Sequence, residues 1–208
     1  KLLHKAYVAY RVRTTKLMPN AKSTLAALKK SGISLNVITN TREDSNRIIA
    51  KQLKIYKYFT HFLMSHEEGT IKSELKIFHL LLEKLNKNRK NNILPSECLM
   101  VGNNLNEDTA AKQLGMRTAI LTVKVDVNKN IQSFEPDYYI DDLSEIIAIV
   151  KNSIRHNLVQ ASLSDSELKI FRKKTAALRK LVHSRVGEPK LPTREERAKI
   201  ADNYLRKI

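Results

Sequence analysis

The sequence predicts an α/β fold: a three-layer core around a central parallel sheet, followed by an α-helical C-terminal extension. Three observations predict it. Short apolar runs alternate with helix-like patterns as far as about Val150, and that alternation is the grammar of a parallel sheet. The stretch Glu97–Leu121 reads strand, polar turn, helix and strand, with Gly115 closing the helix. After Asn152 no further strand pattern follows. The expected organisation is a core over 1–150 and a basic extension over 151–208. Ligands of parallel sheets sit beyond the carboxyl ends of the strands, so the turn from Gly102 to Asp108 marks the expected site.

In order, Leu2–Tyr10 is apolar and β-prone and is expected as a first strand. Pro19-Asn20 opens a helix that Gly32 ends, since glycine readily takes the left-handed conformation past a helix terminus. Ile33–Thr39 is a second strand, and a helix follows from Arg42 to about Leu53. Tyr58–Ser65 is a short strand. Leu75, Phe78, Leu81, Leu82 and Leu85 recur at helical spacing, which predicts one helix over Lys72–Lys87. Leu99–Val101 and Thr118–Val123 are strands, Asp126–Ser133 is a loop, Tyr138–Ile140 is a last strand and Leu143–Val150 a helix.

Composition narrows the classes. The chain of 208 residues is 42% hydrophobic but only 6% aromatic, with no Trp. Its core is therefore expected from Leu, Ile, Val and Ala. The formal net charge of +17 points to a polyanionic partner. The single cysteine, Cys98, excludes an internal disulfide and fits a reducing compartment. No stretch approaches the ~20 apolar residues of a membrane span. The six histidines show no zinc-ligand spacing. Glu67-Glu68 is expected as a surface acid pair. The first residue is Lys1, so the chain is expected to be processed or to lack its beginning.

The order of four segments then carries a resemblance. A strand ends in Val37-Ile38-Thr39-Asn40, Lys72 opens a later helix, and Met100-Val101-Gly102-Asn103-Asn104 leads to Asp108 and on to Ala110-Ala111 and Leu114-Gly115-Met116. Pro136-Asp137-Tyr138-Tyr139-Ile140 precedes a final helix. This resembles the haloacid dehalogenase superfamily, over roughly Ala6–Val150, and the resemblance implies a Rossmannoid core, here without a large cap. The resemblance implies a phosphoryl-binding hydroxyl at Thr39, a third-motif lysine at Lys72 and a fourth motif at Asn103, Asn104 and Asp108. It also implies an aspartate nucleophile, a second acid two residues on, and a Mg²⁺ ion held by carboxylates. Ser73-Glu74 stands where the family often has Pro-Asp. Counted back from Pro19, the two acid positions fall on Ala6 and Val8, and Lys1–Met18 holds no Asp or Glu. Asn103 stands where the metal-binding aspartate belongs. A methyl group cannot attack phosphorus, so the expectation is a degenerate site with no catalytic residue, no metal and no cofactor. Thr39 and Asn40 then have an alternative role in satisfying a strand end, and Lys72 one in pairing with Glu68 or Asp108.

The extension carries 15 Lys and Arg against 6 Asp and Glu. Leu168, Phe171, Leu178, Leu181 and Val182 form an apolar stripe. Arg172, Lys173, Lys174, Arg179, Lys180, Arg185, Lys190, Arg194, Arg197 and Lys199 provide the cations, which are expected to contact phosphates. The function expected from the sequence is therefore a non-catalytic structural subunit of a ribonucleoprotein. The host expected by analogy is a mitochondrial ribosome, with rRNA and neighbouring subunits as partners and the mitochondrion, or otherwise the cytoplasm, as location. The alternatives are a Mg²⁺-dependent phosphatase of this superfamily whose nucleophile segment is missing from the chain, and a pseudoenzyme protein scaffold.

Overall fold

The computed structural model describes residues 2–41, 44–124 and 134–161. The basic residues expected to bind RNA, from Arg172 to Lys199, lie outside the described residues, as does the loop expected at Asp126–Ser133. The chain divides into two units, Lys1–Ala148 and Ile149–Ile208.

The first unit opens on helix α1 (Leu2–Thr14), where a strand was expected. Lys5, Val8, Ala9 and Val12 line one cavity together with Ser45 and Ile48. That spacing is the helical i, i+3, i+4, i+7, so α1 presents one face to α3 (Ser45–Gln52). Arg11 donates to the Ser45 hydroxyl at 3.1 Å, and the Gln52 amide donates to the Val12 carbonyl at 3.2 Å. Ala6 and Val8 thus sit within a helix and not at the end of a strand, and the alignment that put them at nucleophile positions falls with the strand.

Between these two helices lie α2 (Ala21–Lys30) and strand β1 (Asn36–Thr39). Gly32, at φ +77°, stops α2. Its N–H bonds to the Lys29 carbonyl and that of Ile33 to the Leu28 carbonyl, the paired bonds of a left-handed helix stop. Strand β2 (His61–Met64) and the single turn α4 (Ser65–Glu68) follow α3. The long helix expected at Lys72–Lys87 is two elements. Lys72–Glu74 is a 3₁₀ turn, and α5 runs Lys76–Asn86. Leu75 separates them at φ +61°, a left-handed conformation that costs a non-glycine residue roughly 1–2 kcal/mol. Strand β3 (Leu99–Gly102), helix α6 (Leu105–Thr109), strand β4 (Arg117–Leu121), strand β5 (Tyr138–Ile140) and helix α7 (Glu145–Ala161) complete the order.

All strand pairings are parallel. β1 pairs with β2, Asn36 opposite His61 and Thr39 opposite Met64. β3, β4 and β5 form a second group, with Val101 opposite Ala119 and Ile120 opposite Tyr139. Leu63, Ile77, Phe78, Leu82, Ala111 and Met116 form a shared core cluster, against which Ile38 of β1 and Met100 of β3 also pack. One helix, α5, therefore underlies both groups. Yet among the described residues β1 pairs only with β2, and β3 only with β4. Every residue of β1 and β3 is half-buried, whereas Ala119 and Ile120 of β4 are fully buried. Interior strands of a parallel sheet are buried on both faces, so β1 and β3 each behave as an edge.

Candidate active site at the strand ends

The carboxyl ends of β1 and β3 both reach Lys72. The Asn40 side-chain oxygen, one residue past β1, accepts from the Lys72 N–H at 3.1 Å. The Lys72 ammonium donates to Asp108 Oδ1 at 2.6 Å, with the two side chains 11% and 1% exposed. A charge pair so buried persists only when its remaining hydrogen-bond capacity is met. The second carboxylate oxygen accepts from the Asn104 N–H at 2.9 Å. Gly102 makes the approach possible: a Cβ there would lie 1.9 Å from Asp108 Oδ2. Asn104 caps α6, its side-chain oxygen accepting from the N–H groups of Asn106 and Glu107. This follows the rule that a short polar side chain satisfies the first amides of a helix. Ser65 ties the β1 turn to the end of β2, since its hydroxyl accepts from the Thr41 N–H and donates to the Thr41 carbonyl.

Of the residues singled out in the sequence, Asn40, Lys72, Asn104 and Asp108 come together, Thr39 precedes Asn40 at the end of β1 with its hydroxyl turned to α3, and Asn103 lies exposed on the Asn104 turn. Of the two partners considered for Lys72, the structure selects Asp108. Glu68 faces Lys84 instead, at 3.8 Å. Thr39 has a partner that sequence reasoning missed: Asn46, whose Nδ2 donates to the Thr39 hydroxyl oxygen at 3.0 Å. Asn46 is held in turn by Arg11, at 3.1 Å. Neither contact has a sequence signal: Arg11 and Asn46 meet across 35 positions, and Asn46 reaches Thr39 from α3 across 7. Glu107 was also missed. It is half-buried on α6, and its carboxylate makes no hydrogen bond or ion pair among the described residues. Its signal was present, an acid directly before Asp108 in the first turn.

Mg²⁺ is usually bound through one or two carboxylates together with phosphate oxygens. Each oxygen of Asp108 accepts one hydrogen bond, from Lys72 and from Asn104, and keeps a second lone pair. Glu107 and Asp108 therefore offer carboxylate oxygens to a cation, with Asn103 on the same turn. A second group of possible ligands gathers at the surface, where oxygens of Asp44 and Glu67 and a nitrogen of His66 lie within 4.8 Å of one another. Arg47 occupies it, donating to Glu67 Oε1 and Oε2 at 2.6 and 2.7 Å and to Asp44 at 3.1 Å. The guanidinium holds the Glu67 carboxyl below the usual range. Near β5, burial pushes the Asp137 carboxyl up, but the Lys112 ammonium at 2.9 Å and the Thr118 N–H at 2.8 Å outweigh it and leave it low. Burial, with Glu97 nearby, pushes the Cys98 thiol up, and Cys98 packs against the core cluster.

A model of the haloacid dehalogenase-like hydrolase family matches residues 2–115. The chain is 31% identical over 134 residues to a phosphoglycolate phosphatase of Vibrio vulnificus, covering 64% of this chain and 56% of that one. It is 29% identical over 136 residues to a glyceraldehyde 3-phosphate phosphatase of Pyrococcus furiosus, covering 64% and 54%. The chain thus spans little more than half the length of these curated relatives. Among solved structures, a HAD phosphatase from Thermococcus onnurineus superposes with a TM-score of 0.59 at 26% identity, over 71% of this chain and 64% of that one. A predicted phosphoglycolate phosphatase from Haemophilus somnus superposes with a TM-score of 0.60 at 27% identity, over 70% and 62%. These matches overturn two expectations, a non-catalytic ribonucleoprotein or mitochondrial ribosomal subunit and a chain that is not an enzyme. The physical reason is that the loss of both acids was inferred from Ala6 and Val8, which are helical. With its parallel strands, the converging Asn40, Lys72 and Asp108 and a family match over residues 2–115, the chain belongs to the haloacid dehalogenase-like hydrolase family.

Proposed function

We propose that this chain forms part of a Mg²⁺-dependent phosphatase that hydrolyses small phosphate monoesters. The observation that carries the proposal is the buried Lys72–Asp108 pair, set between the Thr39-Asn40 turn and the Asn103-Asn104 turn at the strand ends. Thr39 donates its hydroxyl to a phosphoryl oxygen. Lys72, fixed by Asp108 and by its own backbone bond to Asn40, places its remaining ammonium hydrogens beside the same group. Asn103 and Glu107 offer oxygens to the metal from the α6 side. The bound metal supplies neutralisation of phosphoryl charge.

The nucleophile is assigned to an aspartate outside these 208 residues, at the end of a parallel strand between β1 and β3. Two observations support that placement. Both strands are half-buried and carry one bonded neighbour each among the described residues, and both ends converge on Lys72. The relatives' phosphatase names support the reaction class.

The test is hydrolysis of p-nitrophenyl phosphate by the protein expressed from its full reading frame. We expect Mg²⁺-dependent turnover, abolished by EDTA and lowered at least ~10²-fold by Lys72→Ala, in line with the loss of an electrostatic donor. Turnover that is indifferent to both treatments would exclude this site. An open reading frame with no aspartate at the end of an apolar run upstream of Lys1 would exclude the nucleophile assignment.

A further inference from the structure

We propose that Arg11 and Asn46 are positioning residues that fix the direction in which the Thr39 hydroxyl donates. The inference rests on the phosphatase reading, in which Thr39 faces a phosphoryl oxygen, and it adds a device outside the strand ends.

The argument is one of hydrogen-bond polarity. A guanidinium carries donors only. Arg11 Nη2 lies 3.1 Å from Asn46 Oδ1, so the amide must turn its oxygen to Arg11. Its nitrogen then faces Thr39 Oγ1, 3.0 Å away. The amide nitrogen also only donates, so Thr39 must accept there. Its own hydrogen is left for another acceptor, and no described residue takes it. A phosphoryl oxygen only accepts, which matches. Arg11 is itself held, because Nη1 donates to the buried Ser45 hydroxyl at 3.1 Å. All three side chains line one largely apolar cavity of about 350 Å³, where few other groups compete for them.

Without Arg11 the amide of Asn46 can turn over. Its oxygen would then accept the Thr39 hydrogen, and the hydroxyl would point away from the site. The effect of Arg11 on the anion therefore passes wholly through Thr39. A residue that merely braces the fold would act independently of Thr39.

The test is inorganic phosphate binding, followed by titration calorimetry on the full-length protein. Thr39→Val should weaken phosphate about tenfold, the worth of one hydrogen bond to a charged acceptor. Arg11→Met should weaken it by a similar factor, and adding it to Thr39→Val should cost nothing further. Asn46→Asp is nearly isosteric and keeps the Arg11 contact. It should nevertheless weaken phosphate, because a carboxylate takes the Thr39 hydrogen. Much of that loss should vanish in the Thr39→Val background, where only the added charge remains. Ser45→Ala removes one of the bonds that hold Arg11, and should weaken phosphate by less than Arg11→Met does and not at all in the Thr39→Val background.

Additive losses in the double variants would overturn the proposal, as would wild-type affinity in Arg11→Met. If Arg11→Met fails to fold, the Asn46→Asp pair of measurements decides alone. Failure of the underlying reading looks different: the unmodified protein would not bind phosphate, or Thr39→Val would bind it undiminished.

Discussion

Two ion pairs in this chain close to the same distance in opposite surroundings. Lys72–Asp108 and Arg47–Glu67 both bring nitrogen and oxygen to 2.6 Å. The first is sealed, at 11% and 1% side-chain exposure. The second is open to water, at 26% and 35%. The distance therefore says little about what either pair contributes. Removal from water makes the first costly to break, because the abandoned charge stays buried. Water and salt screen the second, and exposed pairs contribute little. The buried pair also dictates a neighbour, requiring a glycine at 102. The exposed pair imposes no such conditions.

The largest expected effect breaks the buried pair. Lys72→Met should lower unfolding free energy by about 3–5 kcal/mol, read as a shift in urea midpoint. Adding Asp108→Asn should recover part of it, because the remaining cost is a stranded charge. A double variant less stable than the single one would show that packing, not charge, dominates at this position. Next, Gly102→Ala should cost about 2 kcal/mol through overpacking against Asp108. Combined with Asp108→Ala, most of that cost should disappear, a coupling that a double-mutant cycle measures directly.

A third pair lies between these extremes. Asp137, 33% exposed, holds Lys112 and the Thr118 N–H. Asp137→Asn should cost about 1 kcal/mol at neutral pH. Its folded pKa lies below the ordinary value, so the contribution is present above the unfolded pKa and is lost as pH falls through the folded one. The gap in urea midpoint between Asp137→Asn and the unmodified protein should accordingly shrink on acidification below about pH 4. The smallest effect belongs to Glu67→Gln. It should cost less than about 1 kcal/mol, and 1 M salt should remove most of that. A large, salt-insensitive loss would undo the contrast between the two pairs.

The sequence revealed the parallel core well and the entry to it badly. Strands at Asn36–Thr39, Leu99–Gly102 and Tyr138–Ile140 were legible because apolar runs ended in polar turns. Lys72 and Asp108 were legible because their order along the chain follows the strand ends. Leu2–Tyr10 misled because it is apolar and holds β-prone Tyr and Val residues, while Val8, Ala9 and Val12 also satisfy a helical period. Only the contact with α3 decides between the two. That error propagated: Ala6 and Val8 became empty catalytic positions, and an enzyme family was assigned a structural role. The link from Arg11 through Asn46 to Thr39 was not legible at all, because its polarity depends on three side chains meeting in space.

The edges of β1 and β3 have a practical consequence for anyone handling the protein. Neither strand carries a lysine, glutamate or proline, the residues by which soluble sheets discourage pairing with strangers. Among the described residues each of these two ladders has one bonded neighbour, and its other row of amide and carbonyl groups pairs with no described strand. Prepared without the strand proposed above to lie between them, the protein should associate edge to edge and grow in mass with concentration. Co-expression with that proposed strand should hold it monodisperse.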